Sequence, residues 1–231
     1  MSAIPPVADL SRAQRWWILA LLFACRAGLG LQFQALGSVA DPLVSELGLR
    51  RAEIGSLIGL FTLPGLLLAL PAGYLGRHLP DRTLVSGALL VLAAGGVLAT
   101  LAQGFGGLAW GRLAAGLGFV FGTVYFTKMV ADWFSGKELA TAMGVLVMSW
   151  PFGIAMGQLG HAWLAAQLDW RAAFLAASAY CVLGAAAQEN TGAILGMVQD
   201  PSGAAVSGAR IQVTNEGTGL ARSGATGGDG F

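Results

Sequence analysis

The chain is written in long apolar blocks separated by short polar joints, with neither strict alternation nor a one-sided helical stripe. Six blocks cover residues 16–40, 54–75, 83–102, 108–129, 139–165 and 170–187. Each is close to the ~20 residues that a helix needs to cross a bilayer. Six membrane-spanning helices are predicted, joined by loops so short that consecutive spans must be antiparallel neighbours. The joint from Gly73 to Arg82 between the second and third spans is the most strongly basic of these. After residue 187 the pattern changes to Gly, Ser, Thr and Ala with no further apolar block. That tail reads as short strands at 193–199, 209–215 and, more weakly, 220–226, with a turn at Asp200-Pro201-Ser202-Gly203. Three short strands cannot bury a core of their own. The expected organisation is a transmembrane unit at 1–187 and a short, incomplete β-rich segment at 188–231.

Composition agrees with the blocks. Of 231 residues, 55% are hydrophobic and 11% charged, against about 25% charged in soluble domains, and the mean hydropathy is +0.68. The net charge of +1 offers no basic surface for nucleic acid. Cys25 and Cys181 both fall inside apolar blocks and read as small buried hydrophobes, not as metal ligands. No zinc, phosphate-loop or nucleophile-elbow spacing occurs, so no enzyme, metal or cofactor is expected. The first block follows Arg12 and Arg15 but is too long for the 7–15-residue core of a cleaved leader, and is read as a retained span.

Charge sets the expected orientation. Arg12, Arg15, Arg77, Arg82, Lys128 and Lys137 fall on one side, and only Arg50, Arg51 and Arg171 on the other. The positive-inside rule then places the N-terminus and the Gly73–Arg82 loop on the cytoplasmic side of the membrane. Trp16, Trp17 and Trp133 fall at that interface and Trp110, Trp163 and Trp170 at the opposite one, as an aromatic belt requires; Trp150 alone lies mid-span. Glycines stud the fourth span (Gly111, Gly116, Gly118, Gly122) and the fifth (Gly144, Gly153, Gly157), where small residues let helix backbones approach. Pro64, Pro71 and Pro151 mark expected bends.

Candidate chemistry is sparse. Arg26 lies ten residues into the first block, about 15 Å deep in a ~30 Å hydrocarbon core. An arginine there costs about 2.5–3.5 kcal/mol even on the mild insertion scale. It either faces an anionic solute or is bonded to helix carbonyls and polar side chains. Gln34, eight residues on, lies about 80° around the same helix and can border the same space, whereas Gln32 points elsewhere. Arg112 sits about a turn into the fourth block, where snorkelling is the bland reading. Lys128 reads as an interfacial anchor and His161 as an interfacial histidine; Tyr125 and Ser149 either line a cavity or bond within their helices. No Asp or Glu lies within a span, so no proton carrier is evident.

Residues 12–187 resemble the amino-terminal six-helix half of a major facilitator superfamily transporter. The loop from Gly73 is similar to the G-x-L-a-D-R-x-G-R-[RK] motif of that family: Gly73, Leu75 and Arg82 match, while Arg77 stands at the acidic position, Pro80 at the second glycine and Asp81 at a basic position. Arg112 with Gly116 and Gly118 resembles the fourth-helix pattern, and Gly144, Ser149-Trp150-Pro151, Gly153 and Gly157 a loose fifth-helix motif. The runs Arg26–Gln34 and Ala131–Glu138 are similar to cyanate- and nitroimidazole-type bacterial members. The resemblance implies secondary transport of a small solute, anionic on the strength of Arg26, with Arg26, Gln34 and Arg112 as solute-contacting residues. It implies gating at Gly73, Arg77, Asp81 and Arg82. It also implies a second wall, from a homodimer partner or a C-terminal half. Residues 192–231 resemble the start of a carboxypeptidase-regulatory-like β-sandwich, through Gly192, Gly196, Asp200, Gly203 and Val213-Thr214-Asn215. An outer-membrane-type module conflicts with a cytoplasmic residue 188, so the alternative expectation is a non-transporting fusion: a membrane anchor carrying a partial β-sandwich.

Overall fold

The computed structural model describes residues 12–76, 79–189, 198–200, 204, 206–214 and 221–227. Seven helices occur among them: α1 (Arg12–Ser38), α2 (Ala40–Leu47), α3 (Arg51–Leu75), α4 (Asp81–Thr100), α5 (Phe105–Trp133), α6 (Gly136–Gln167) and α7 (Trp170–Glu189). All but α2 are long and apolar enough to cross a membrane. The chain is an all-α, multi-pass membrane protein with a small two-stranded sheet.

The first span ends at Ser38, two residues short of the expected boundary. Pro42 explains the break, because it has no N–H to give the Ser38 carbonyl and its ring crowds that oxygen. The chain restarts as α2, which Gly48 terminates in the left-handed region at φ 64°. Its buried Leu43 joins Val39, Leu49, Leu57 and Trp170 in an apolar cluster at that end of the bundle. Trp170 is therefore a core residue, 1% exposed, whose indole N–H donates to Glu46 at 3.0 Å. The belt reading holds better for Trp17 and Trp110, which are largely exposed. Arg51 pairs with Asp41 at 3.2 Å, which leaves Glu46 to the indole.

Glycines set the helix contacts. A Cβ on Gly95 would lie 2.7 Å from both Cα and Cβ of Ala115, and one on Gly111 would lie 2.9 Å from the Ala99 nitrogen, so α4 and α5 touch backbone to backbone. Gly30 and Gly153 do the same for α1 and α6, and Gly116 brings α5 against Phe61 and Pro64 of α3. Gly144 is the exception among the expected packing glycines, since nothing lies within 4 Å of where its Cβ would be.

One side chain ties three helices. Arg112, 1% exposed, donates from Nε to the Leu57 carbonyl at 3.3 Å. Its Nη1 donates to the Gln32 carbonyl at 3.0 Å and its Nη2 to the Phe33 carbonyl at 3.3 Å. The guanidinium also lies 4.3 Å from the Phe61 ring centroid. It thus spans α5, α1 and α3, using the second lone pairs of carbonyls already bonded within their helices.

The strands β1 (Arg210–Thr214) and β2 (Ala221–Ala225) pair antiparallel, Arg210 opposite Ala225 and Thr214 opposite Ala221, each within a residue of its expected bounds. They belong to a compact unit separate from the helices. Ala204 N–H donates to Asp200 Oδ1 at 3.0 Å and Asp200 N–H to the Ala204 carbonyl at 2.9 Å, while residues 201–203 of the expected turn lie outside the described residues. Residues 193–197, most of the first expected strand, lie outside the described residues.

Two outcomes follow from this packing. Gly95→Leu forces α4 off α5 and is expected to lower stability by about 1–3 kcal/mol, whereas Gly144→Ala leaves it unchanged, read as midpoints of thermal unfolding in detergent. Arg112→Lys keeps a charge but not the fork, and is expected to cost about 1–3 kcal/mol in the same measurement.

Candidate functional site

The candidate residues lie on the seam between α1 and α6 and at the contact of α5 with α1 and α3. Because Gly30 and Gly153 bring α1 and α6 close, polar side chains on either helix reach across. Arg26, 7% exposed, donates from Nη1 to the Leu146 carbonyl and to Ser149 Oγ, both at 2.9 Å. Ser149 in turn donates to the Leu146 carbonyl at 2.6 Å. Arg26 Nε has no hydrogen-bond partner, and no carboxylate among the described residues pairs with this guanidinium. One arm of the charge is anchored and one edge is left over.

Two turns farther along the seam, Gln34 donates to Gln158 Oε1 and, at 3.3 Å, to Ser38 Oγ, while Ser38 donates to the Gly157 carbonyl at 3.2 Å. His161 is buried beside Gly157 with Nδ1 unpartnered, so it is not the interfacial side chain its position suggested. Arg26 and Gln34 share the α1–α6 seam. Arg112 does not join them, because all three of its nitrogens are engaged with carbonyls of α1 and α3. Gln32 faces the other way, donating to the Leu92 carbonyl of α4 at 3.2 Å.

Sequence reasoning missed an aromatic ring of rings. Phe33 of α1, Phe61 of α3, Phe119 of α5 and Trp150 of α6 close a cycle, with centroid separations of 5.5 Å (33–61), 5.2 Å (61–119), 4.9 Å (119–150) and 5.2 Å (33–150). The signal was present: Trp150 stands mid-span, and Phe33 falls seven residues after Arg26 on the same helix face. Phe61 is fully buried, whereas Phe33, Phe119 and Trp150 are only partly so.

At the end of the bundle bearing the α3–α4 joint, Gly73 lies exposed in the last turn of α3 and Arg82 exposed in the first turn of α4. Arg77 lies outside the described residues. Asp81 meets Lys128 of α5 at 2.5 Å, and Lys128 also meets Asp132 at 2.8 Å, so this lysine is an ion-pair hub and not a bare anchor. Tyr125 donates to the Ala72 carbonyl, and a Cβ on Gly76 would lie 2.8 Å from the tyrosine oxygen. Arg15 and Glu138 pair across α1 and α6 at 3.3 Å. Two apolar grooves of about 370 and 390 Å³ line α4–α5 and α3–α5, and neither borders Arg26. Among the described residues no cluster of His, Cys, Asp or Glu could hold a metal.

Relatives are transporters. The inner membrane transport protein YajR of Escherichia coli is 30% identical over 142 residues, covering 61% of this chain and 30% of that one. A probable 4-methylmuconolactone transporter of Cupriavidus pinatubonensis is 25% identical over 159 residues, covering 66% and 37%. The fold matches a crystal structure of a bacterial homolog of the human lysosomal transporter Spinster, in an inward-facing and occupied conformation, with a TM-score of 0.65 at 19% identity over 79% of this chain and 45% of that one. The chain thus spans less than half the length of each. Residues 22–212 match the Major Facilitator Superfamily, and by that match the chain belongs to this family of membrane transporters.

Proposed function

We propose that this chain forms one six-helix wall of a secondary-active transporter for a small anionic solute, with Arg26 as the anion-contacting group. The observation that carries the reading is a mid-span guanidinium, 7% exposed, with Nε unpartnered and no described carboxylate beside it. A desolvated cation without a counter-ion is a standing attraction for an anion. Gln34, held to Gln158 and Ser38, borders the same seam and supplies polar contacts. Arg112 acts on the solute by holding α1 against α5, and contributes no direct contact. A second copy of the chain or a separate C-terminal half closes the other side, as two repeats do around a central site in such transporters. The relative named for 4-methylmuconolactone fits a small organic solute.

Gating falls to the α3–α4 joint, where Asp81 bonded to Lys128 takes the ion-pairing part that Arg77 cannot. The N-terminus lies in the cytoplasm of the inner membrane, supported by the excess of basic residues at the end of the bundle with Arg15, Arg82 and Lys128. A second reading, a membrane anchor for a carboxypeptidase-regulatory-like β segment, is favoured by β1 and β2 pairing in their own compact unit.

In proteoliposomes, Arg26→Gln is expected to reduce uptake of small organic anions about 10- to 100-fold, from the loss of about 1.5–3 kcal/mol in charge-assisted bonding. Arg26→Lys retains part of it. No uptake by the unsubstituted chain favours the anchor, and uptake indifferent to both substitutions removes Arg26 from the solute site. Orientation is read separately with a membrane-impermeant maleimide in a Cys25→Ala, Cys181→Ala background. The reagent labels Arg50→Cys in intact cells and leaves Arg82→Cys untouched; the reverse pattern inverts the topology.

A further inference from the structure

We propose that α6 is hinged at Ser149–Pro151 and latched by Arg26, so that its first half, residues 136–148, swings away from α1 when the guanidinium lets go. Pro151 is the weak point. It has no N–H to give the Val147 carbonyl, and its ring crowds that oxygen. Two residues earlier, Ser149 donates to the Leu146 carbonyl at 2.6 Å, a back-bond of the kind that competes with the regular ladder and bends helices. Sharp kinks in helices arise at such prolines.

The two halves of α6 are held to α1 by different means. Beyond the proline the contact is backbone on backbone. A Cβ on Gly30 would lie 2.9 Å from the Ile154 nitrogen, and one on Gly153 3.1 Å from the Gly30 Cα. Ser38 adds a bond to the Gly157 carbonyl at 3.2 Å, and Gln34 one to Gln158. Before the proline Gly144 makes no such seam, since nothing lies within 4 Å of where its Cβ would be. That stretch is tied instead by polar side chains reaching from α1. Arg26 Nη1 donates to the Leu146 carbonyl and to Ser149 Oγ, both at 2.9 Å, and so grips the turn just before Pro151. Arg15 pairs with Glu138 at 3.3 Å near the start of the helix.

The far side leaves room for the swing. Thr141, Gly144, Val145, Val147 and Met148 are exposed, so no other described helix packs over them. Ala142 and Leu146 are fully buried and would meet lipid on opening. Lipid is as apolar as the bundle interior, so hydrophobic burial does not hold this half in place. The Arg26 bonds decide whether it stays. The latch stands apart from the anion reading, though an anion drawn to Arg26 competes with the two bonds that close it.

The test is pulsed electron spin resonance on the full chain in detergent, with nitroxide labels in the Cys25→Ala, Cys181→Ala background. Thr83→Cys with Ala140→Cys reports the first half of α6 against α4, and Leu101→Cys with Ala166→Cys reports the second half; all four positions are exposed. Ala140 lies about 16 Å along the helix from Pro151, so a bend of about 20° moves it by about 5 Å. Arg26→Gln combined with Glu138→Gln is expected to shift the 83–140 distance by about that much and to leave 101–166 unchanged, which also shows that the variant folds. Glu138→Gln alone leaves both distances in place. Adding Pro151→Ala to the double substitution returns 83–140 to its starting value, because a continuous ladder needs no latch. An unchanged 83–140 distance, or a shift already complete in Glu138→Gln, overturns the latch. A shift that persists with Pro151→Ala overturns the hinge, and both distances shifting together overturns both. None of these outcomes bears on the anion reading, which uptake by Arg26→Gln tests on its own.

Discussion

The guanidinium of Arg112 is the interaction on which the bundle most depends. Hydrocarbon cannot solvate it, and an unmatched cation in a span costs several kcal/mol. Three carbonyls, from Leu57, Gln32 and Phe33, take its place as solvent, and the Phe61 ring covers one face. Each bond to a charged group is worth about 1.5–3 kcal/mol, enough to offset the burial only if all three form together. That requirement fixes α1 and α3 relative to α5.

The remaining contacts divide into two kinds. α4 on α5 and α1 on α6 are backbone contacts permitted by Gly95, Gly111, Gly30 and Gly153. Lipid supplies no hydrophobic force to join helices, so close approach and dispersion must do it. Between the α1–α6 pair and the α3–α5 pair the link is made by side chains instead: the Arg112 fork and the ring of Phe33, Phe61, Phe119 and Trp150. A junction built of side chains leaves part of the Phe33, Phe119 and Trp150 surface open, while the under-bonded Arg26 lies on the α1–α6 seam itself.

Much of this was legible beforehand. Hydropathy alone located six spans, because a helix crossing ~30 Å of hydrocarbon must be long and apolar. The strands at Arg210–Thr214 and Ala221–Ala225 were expected at 209–215 and, more weakly, 220–226, where the apolar blocks give way to short strand-like runs. Arg26 stood out because a charge at mid-span has no cheap explanation. Of its two named alternatives the structure shows the bonding to helix groups, from Nη1 to the Leu146 carbonyl and Ser149, with Nε left unpartnered. Arg112 was read one turn from an interface, where snorkelling was open to it; its reach into the bundle depended on where α1 and α3 lay.

The sequence by itself determined the membrane character, the number and bounds of the spans, and which residues were too costly to be idle. These follow from local quantities: hydropathy, helix rise, and the conformational rules for Pro and Gly. Tertiary structure alone decided the partners. Trp170 went to the core with Glu46, Lys128 joined Asp81 and Asp132, Gly144 was left facing outward, and four aromatics from four helices met in one cycle. Nearly uniform apolar spans carry little record of which face turns inward, because lipid and protein interior are equally apolar. Only the packing of one helix against another chooses that face.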